Sequence, residues 1–399
     1  MNDDAPTPEP SPEPPPAARP QPRRWKRRLL AAGFGAALAL FAVEVVVRVL
    51  WSQLAHPHES ALVEGLDLER ALFDETLGGS PAELLRAEAD DPQTQEGGQA
   101  YRFYRADPRR GFRLAPNAST TDRVTDDQPL TYRITTDAHG LRGPVREAEP
   151  GALKVLLVGD SMTFGKGVDD DQTFASFLEP LLTEQLGRPV RVLNAGVSSY
   201  GQIEELATIE ELTQSDLQPD VVLLAFTVAN DLTDNFRWKL GTEPLERDEE
   251  AAAEFEHLVL DNPLAWWSRT YRLLAWRWGR HLVRYRLMSG TGFLDRAGEL
   301  LAKAQQAAGE RPFGVVIVPP QFAVQGYWAE PFLRIDAIRA GLDQRLEAAG
   351  IPHHDPLEAL QAHADDELYI PGDLHFTVAG HRVFAEAIAP FVAELAAKE

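Results

Sequence analysis

The chain has 399 residues, 44% of them hydrophobic and 25% charged, enough for one large globular domain or two modest ones. Its formal net charge of −22 repels nucleic-acid phosphates, which sets DNA and RNA binding aside. There is no cysteine, so disulfides, thiolate catalysis and cysteine-ligated metals are excluded.

The chain opens on DDAPTPEPSPEPPPAARPQP, a Pro- and Glu-rich stretch with too little apolar surface to fold. RRWKRR (23–28) completes a tail, 1–28, expected to be disordered and cytoplasmic. The stretch 29–51, LLAAGFGAALALFAVEVVVRVLW, follows. At about 1.5 Å per residue it is long enough to cross a hydrocarbon core of about 30 Å. Basic residues before it and none just after predict a single-pass anchor in the cytoplasmic membrane, with the C-terminal part on the extracytoplasmic or periplasmic side. A cleaved signal peptide is the rival reading; the long apolar region and the lack of a small-x-small site beyond it speak against that. Within the span, Glu44 and Arg48 stand four residues apart on one helix face, where they can pair. They mark either the outer interface, with Arg48 reaching outward, or a docking face for another membrane protein.

Residues 52–150 divide into an acidic, Gly- and Pro-containing juxtamembrane stalk and a β-rich lead-in. LTYRITTDAHGLRGP (130–144) alternates β-formers and ends in glycine-punctuated turns, which predicts short strands packed on the main domain. From 151 to 399 the pattern is α/β. Apolar runs at 154–158, 190–193, 221–226 and 314–318 alternate with helical stretches, and GIPHHDPLEAL supplies a fifth strand and its exit. His353, His354 and Asp355 in that segment also admit a metal-site reading. Near-continuous Val/Leu strands between helices imply a parallel sheet covered on both faces. A flavodoxin-like, three-layer α/β/α fold with five parallel strands is expected, closed by a helix at about 378–397. The insertion at about 233–312 is too long to be structureless. It carries Trp266, Trp267, Trp276 and Trp278 among six arginines within 262–287. It reads as a helical cap or as a basic aromatic face against anionic headgroups.

KVLLVGDSMTFGKG (154–167) runs from a strand into a tight loop. As a phosphate cradle it would need Gly at 160 and Ser or Thr at 167, where it has Asp160 and Gly167. The G-x-S-x-G elbow is absent too. Three further segments give Ser161 a different meaning: NAGVSSYG (194–201), TVANDLTDN (227–235) and PGDLHFTVAGH (371–381). In a parallel sheet, loops leaving the carboxyl ends of neighbouring strands converge at the topological switch point. Ser161, Gly196 and Asn230 would meet there, with His375 and Asp373 reaching the same edge. A serine hydroxyl needs a base to take its proton; His375 is suited, and Asp373 would hold its tautomer. The Ser161 and Gly196 N–H groups and the Asn230 side-chain amide would form an oxyanion hole. Asp160 and Asp231 read as structural hydrogen-bond partners, and Thr163, Tyr200 and His381 as weaker candidates for the pocket wall.

The Gly-Asp-Ser, Asn-Ala-Gly, Asn-Asp and Asp-x-His blocks, in this order over roughly 150–399, resemble the SGNH (GDSL-type) hydrolases. The lead-in and the anchor resemble a membrane-anchored, exported branch of that superfamily. The resemblance implies Ser161 as nucleophile, Gly196 and Asn230 in the oxyanion hole, and Asp373/His375 as the acid–base pair. Two departures stand out: Val228 occupies the place of the usual glycine of the third block, and Asp373 and His375 are separated by one residue where two are frequent. The shorter spacing resembles the polysaccharide acetyl-transfer and deacetylation branches. The implied function is a serine esterase acting on an ester substrate, such as O-acetyl groups on an envelope polysaccharide or lipid. Passing the acyl group to a sugar hydroxyl and an inactive envelope scaffold are the alternatives. No cofactor and no metal is implied.

Overall fold

The computed structural model describes residues 24–50, 103–125, 128–143, 149–228, 230–234, 263–274, 288–326, 334–371, 373 and 375–398. Residues 1–23 of the expected tail, the stalk at 52–100, and most of the insertion, including Trp276 and Trp278, lie outside them.

Helix α1 (Arg24–Val49) is a 26-residue helix. Its window Ala31–Val49 is apolar enough to cross a membrane, and its Phe34, Leu38, Leu40 and Phe41 side chains are exposed. Arg48 donates from Nε to Glu44 Oε1 at 2.7 Å, as the spacing predicts. The remaining acceptor capacity of Glu44 is met from within the chain: Ser268 Oγ donates at 2.7 Å, Arg269 N at 2.8 Å and Thr270 N at 3.0 Å. Glu44, one residue of the pair that admitted an interface or a docking reading, is thus engaged by this chain's own 268–270 segment.

Two antiparallel hairpins follow, β1 (Tyr104–Asp107) with β2 (Gly111–Leu114) and β3 (Ser119–Thr125) with β4 (Gln128–Thr135). Phe103, Phe112, Leu114, Tyr132 and Ile134 form a small core with Phe164, Val197, Tyr200 and Ile370. Those last four residues lie in the segments that carry the candidate site, so the lead-in braces the site's rim.

The central sheet consists of β5 (Leu153–Gly159), β6 (Val190–Asn194), β7 (Val221–Thr227), β8 (Phe313–Val318) and β9 (His353–His354). All pairings are parallel, in the order β6-β5-β7-β8-β9, which is the expected flavodoxin-like order. Every residue of β7 and β8 is buried, as continuous apolar runs require when both faces of a sheet are covered.

The helices, in chain order, are α2 (Ser161–Phe164), α3 (Phe174–Leu186), α4 (Gln202–Leu212), α5 (Asp231–Asp234), α6 (Pro263–Trp267) and α7 (Arg269–Leu274). They continue as α8 (Thr291–Ala308), α9 (Gln321–Gln325), α10 (Ile335–Ala348), α11 (Leu357–Gln361) and α12 (Val378–Ala396). Within the apolar runs, side chains alternate between two cores. Leu156, Val158, Leu224, Phe226 and Ile317 pack with Ile209, Leu301 and Leu342 of α4, α8 and α10. Val155, Leu157, Leu223, Val316 and Val318 pack with Leu178, Leu182, Phe384 and Ile388 of α3 and α12. The second half of the expected insertion is thus the regular crossover helix of the sheet, α8, and any cap is confined to residues before it. In the fifth strand, His353 Nε2 meets Asp343 Oδ1 at 2.7 Å, and Asp355 accepts from Arg339 Nε at 2.6 Å. Among the described residues, no group of three or more His, Asp or Glu is placed to hold a metal ion.

Candidate active site

Strand register brings the site's loops together. Leu157 of β5 lies opposite Asn194 of β6, and Gly159 lies opposite Ala225 of β7, so these strands end at one edge. The sheet's winding reverses there, which is where doubly wound folds place their ligands.

Ser161 is the first residue of α2, a single turn capped by Asp160, whose carboxylate accepts from Met162 N at 2.9 Å. Asp160 is fully buried and also accepts from Thr227 Oγ1 at 2.9 Å and Asn230 Nδ2 at 3.1 Å. One carboxylate therefore ties the turn after β5 to the turn after β7. Burial pushes its carboxyl above the ordinary value, against the lowering by Met162, Asn230, Thr227 and the nearby His375 ring. The glycine missing from the third block is not needed for this arrangement. Val228 is buried and extends the ladder by donating to Val318 O at 3.2 Å, and Asn230 is held by Asp160. Asp231 is buried and accepts from Thr227 N at 2.6 Å, a structural role.

His375 Nε2 lies 2.7 Å from Ser161 Oγ across 214 residues of chain. Its Nδ1 is hydrogen-bonded to Asp373 Oδ1, which also accepts from His375 N at 2.9 Å. With Nδ1–H on the carboxylate, Nε2 presents its lone pair to the serine. Burial acts to raise the Asp373 pKa, but the hydrogen bonds and charge of His375, helped by Lys166, lower it to about 2. The one-residue spacing of Asp373 and His375 thus closes the base and its orienting carboxylate within one loop.

The expected donors divide. Among the described residues, the Ser161 N–H has no protein acceptor, and the Asn230 amide donates to Asp160. The Gly196 N–H, expected to face the oxyanion, instead donates to Asn194 Oδ1 at 3.0 Å, and Asn194 Nδ2 donates to Thr163 O at 2.9 Å. What Gly196 contributes in this structure is close approach, since a Cβ there would stand 2.3 Å from Phe164 N. In the same loop Ser199 adopts a left-handed backbone at φ 67°, a region where a non-glycine residue is uncommon.

The sequence did not single out Arg142. Its side chain is fully buried and donates to the carbonyls of Phe164, Gly165 (2.6 Å) and Val168 (2.5 Å), and to Asp170 Oδ1 (3.3 Å). The guanidinium also lies 4.3 Å over the Phe164 ring, and Arg142 N donates to Asn194 O at 2.9 Å. One planar fork therefore fixes the loop that follows Ser161. Its only sequence signal is an arginine among glycines in HGLRGP.

Of the three weaker candidates, Thr163 and Tyr200 are buried, with Tyr200 donating to Phe112 O at 2.6 Å. His381 is buried between Phe174 and Phe376, and its Nδ1 accepts from Phe174 N at 3.2 Å. Desolvation, helped by Arg142 and His375, lowers its pKa from 6.5 to about 3. Below pH 6.5 the unfolded chain takes this proton and the folded one does not, so stability falls as pH falls. By pH 5 the loss is about 2 kcal/mol. Urea unfolding at pH 7 and pH 5 is expected to show it, and His381→Gln, which cannot titrate, should remove that share.

Fold and site together place a Ser-His-Asp constellation at the carboxyl edge of a parallel sheet in an α/β fold. The family model of the GDSL-like lipase/acylhydrolases matches residues 157–383, and the chain belongs to that family. It is an esterase-type hydrolase with the SGNH fold. No curated protein matches the chain. Similar solved structures include the lipase/acylhydrolase from Enterococcus faecalis, at 17% identity and TM-score 0.37, covering 61% of this chain and 96% of that one. A catalytic mutant of the acetylxylan esterase Axe2 from Geobacillus stearothermophilus is similar at 16% identity and TM-score 0.36, covering 60% and 94%. A member of the lipolytic G-D-S-L family from Veillonella parvula DSM 2008 is similar at 14% identity and TM-score 0.36, covering 60% and 97%.

Proposed function

We propose that the chain is a membrane-anchored serine esterase that works through an acyl-serine intermediate. The observation that carries this reading is the 2.7 Å contact between Ser161 Oγ and His375 Nε2, with the other ring nitrogen held by Asp373. In the proposed sequence His375 removes the hydroxyl proton as Ser161 Oγ attacks the ester carbonyl, and Asp373 stabilises the imidazolium that forms. The oxyanion is met by the Ser161 N–H and an Asn230 amide N–H. His375 then protonates the departing alcohol, and in the second half it deprotonates the water that releases the acid. Gly196 serves by letting the loop after β6 pack against Thr163 and Phe164, while its own N–H stays on Asn194.

The substrate we propose is an O-acyl group, of acetyl size, on an envelope polysaccharide or lipid. The apolar, exposed Ala31–Val49 helix supports the anchor, and the basic residues at 23–28 support a cytoplasmic N-terminus with the hydrolase domain on the opposite side. In this division 1–28 is the tail, 29–51 the anchor, 52–150 the stalk and lead-in, and 151–399 the hydrolase domain.

The test uses the purified full chain with p-nitrophenyl acetate and with an acetylated glycan, in the presence and absence of a deacetylated acceptor. Free acetate as the main product supports the esterase. Acetylated acceptor in excess of free acetate would replace it with an acyltransferase, and no turnover of any ester would overturn both. Asn230→Ala is expected to lower kcat by about 10²- to 10³-fold with little change in KM, because its amide bonds the oxyanion more strongly than the ground-state carbonyl.

A further inference from the structure

Glu44 lies deep in the apolar part of α1, yet backbone and side-chain donors from 268–270 converge on it. Arg48 reaches the carbonyl of Trp267 in the same cluster. These contacts fix the height of α6 and α7 on α1. From Arg28, at the inner end of the apolar stretch, to Glu44 is about 24 Å along the axis at ~1.5 Å per residue. A hydrocarbon core of about 30 Å ends near Arg48 instead. The donors on Glu44 therefore lie about 6 Å inside the core boundary, and any tilt of α1 places them deeper.

The side chains of α6 and α7 suit that depth. Leu264, Trp266, Trp267 and Leu274 are 62%, 67%, 80% and 53% exposed, and Val43, Val46 and Val49 of α1 are exposed as well. Tryptophan and leucine presented outward at this level are what a bilayer interface accepts. The Glu44 carboxylate explains why the helices stay there. Buried in hydrocarbon it needs donors, and the first turn of α7 supplies backbone N–H groups that would otherwise face lipid.

From this geometry we infer that Pro263–Leu274 is a second membrane-seated element. It is a helical foot whose Leu264, Trp266, Trp267 and Leu274 enter the boundary between acyl chains and headgroups in the leaflet nearer the hydrolase domain. The inference rests on α1 spanning the bilayer. It gives the enzyme two attachments: α1 tethers it, and the foot, which α8 follows after only residues 275–290, holds the domain close to the lipid surface. A substrate carried at that surface is then within reach without long excursions of the stalk.

The absence of native cysteine permits single nitroxide labels on the full chain. Leu264→Cys, Trp267→Cys, Leu40→Cys and Glu358→Cys are labelled and reconstituted into phosphatidylcholine/phosphatidylglycerol vesicles, and collision with oxygen is compared with collision with a water-soluble nickel chelate. The labels at 264 and 267 are expected to show an oxygen-to-nickel ratio several-fold above that at 358 and below that at 40. If 264 and 267 match 358 while 40 is lipid-like, the foot is refuted and the anchor stands. If 40 also matches 358, α1 does not span and both readings fail. Exclusion of both reagents from 264 and 267 would mean protein covers the helices, which also overturns the proposal. Glu44→Leu should move the 267 label to the ratio seen at 358 while leaving the 40 label deep and p-nitrophenyl acetate turnover intact; a 267 label unmoved by this change would contradict the role given to Glu44.

Discussion

Ser161→Ala is expected to lower kcat for p-nitrophenyl acetate by five to six orders of magnitude, on the order of what loss of a triad serine costs elsewhere. The reason is that every other part of the site acts through this oxygen. His375 Nε2 stands 2.7 Å from it, Asp373 is hydrogen-bonded to the other ring nitrogen, and in the proposed mechanism the N–H of Ser161 itself supplies one side of the oxyanion hole. Removing the hydroxyl leaves the hole and the base in place but gives the acyl group nowhere to go. The fold should be indifferent, because Ser161 is only half-buried and its Oγ bonds His375 alone among the described residues. An unchanged unfolding midpoint together with the lost turnover is therefore the expected pair of results. A variant that keeps more than about one-hundredth of the wild-type rate would mean that a different group attacks.

Arg142→Met is expected to destabilise the domain by about 3–5 kcal/mol, the range for breaking a buried ion pair from one side. The guanidinium is the common partner of three loop carbonyls and of Asp170, and Asp170 is itself buried. Methionine fills much of the volume but leaves those acceptors without their donor. The charge left on Asp170 is part of the cost, so Asp170→Asn in the same chain should recover a share of it. Arg142→Lys should fall between, since an ammonium lacks the fork that spans Phe164, Gly165 and Val168. Urea midpoints at constant slope measure all four chains. A loss below about 1 kcal/mol in Arg142→Met would remove the clamp from the account. In the folded fraction, loosening 164–170 should lower kcat more than it raises KM, because the loop begins where Ser161 ends.

The parts of the molecule legible in the sequence are those in which a local pattern carries the physics. VVLLAF and GVVIV are buried on both faces, and continuous apolar runs have few other uses in an α/β chain. The strand order, and with it the meeting of Ser161 with His375, also follows from chain pattern and topology, because strand ends of a doubly wound sheet converge. What escaped is what depends on partners distant in sequence or on the direction of a single N–H. The place of Gly196 at the end of β6 and the family resemblance point its N–H at the oxyanion, yet this amide turns to Asn194, two residues back. Arg142 looks like a surface residue in a glycine-rich turn until the loop after Ser161 folds over it. Glu44 and Arg48 pair as their spacing predicts, but the further donors on Glu44 come from a segment of the same chain more than 200 residues on. Periodicity cannot show any of these, since each is a contact between segments whose own patterns are complete without it.

In the proposed mechanism everything turns on whether Ser161 becomes acylated. Incubation of the full chain with a fluorophosphonate, followed by intact-mass measurement and peptide mapping, tests it most directly. One phosphonyl adduct per chain on the peptide containing Ser161, absent in Ser161→Ala and in His375→Ala, is the predicted result. A chain that remains unmodified, or an adduct on any other residue, would contradict it.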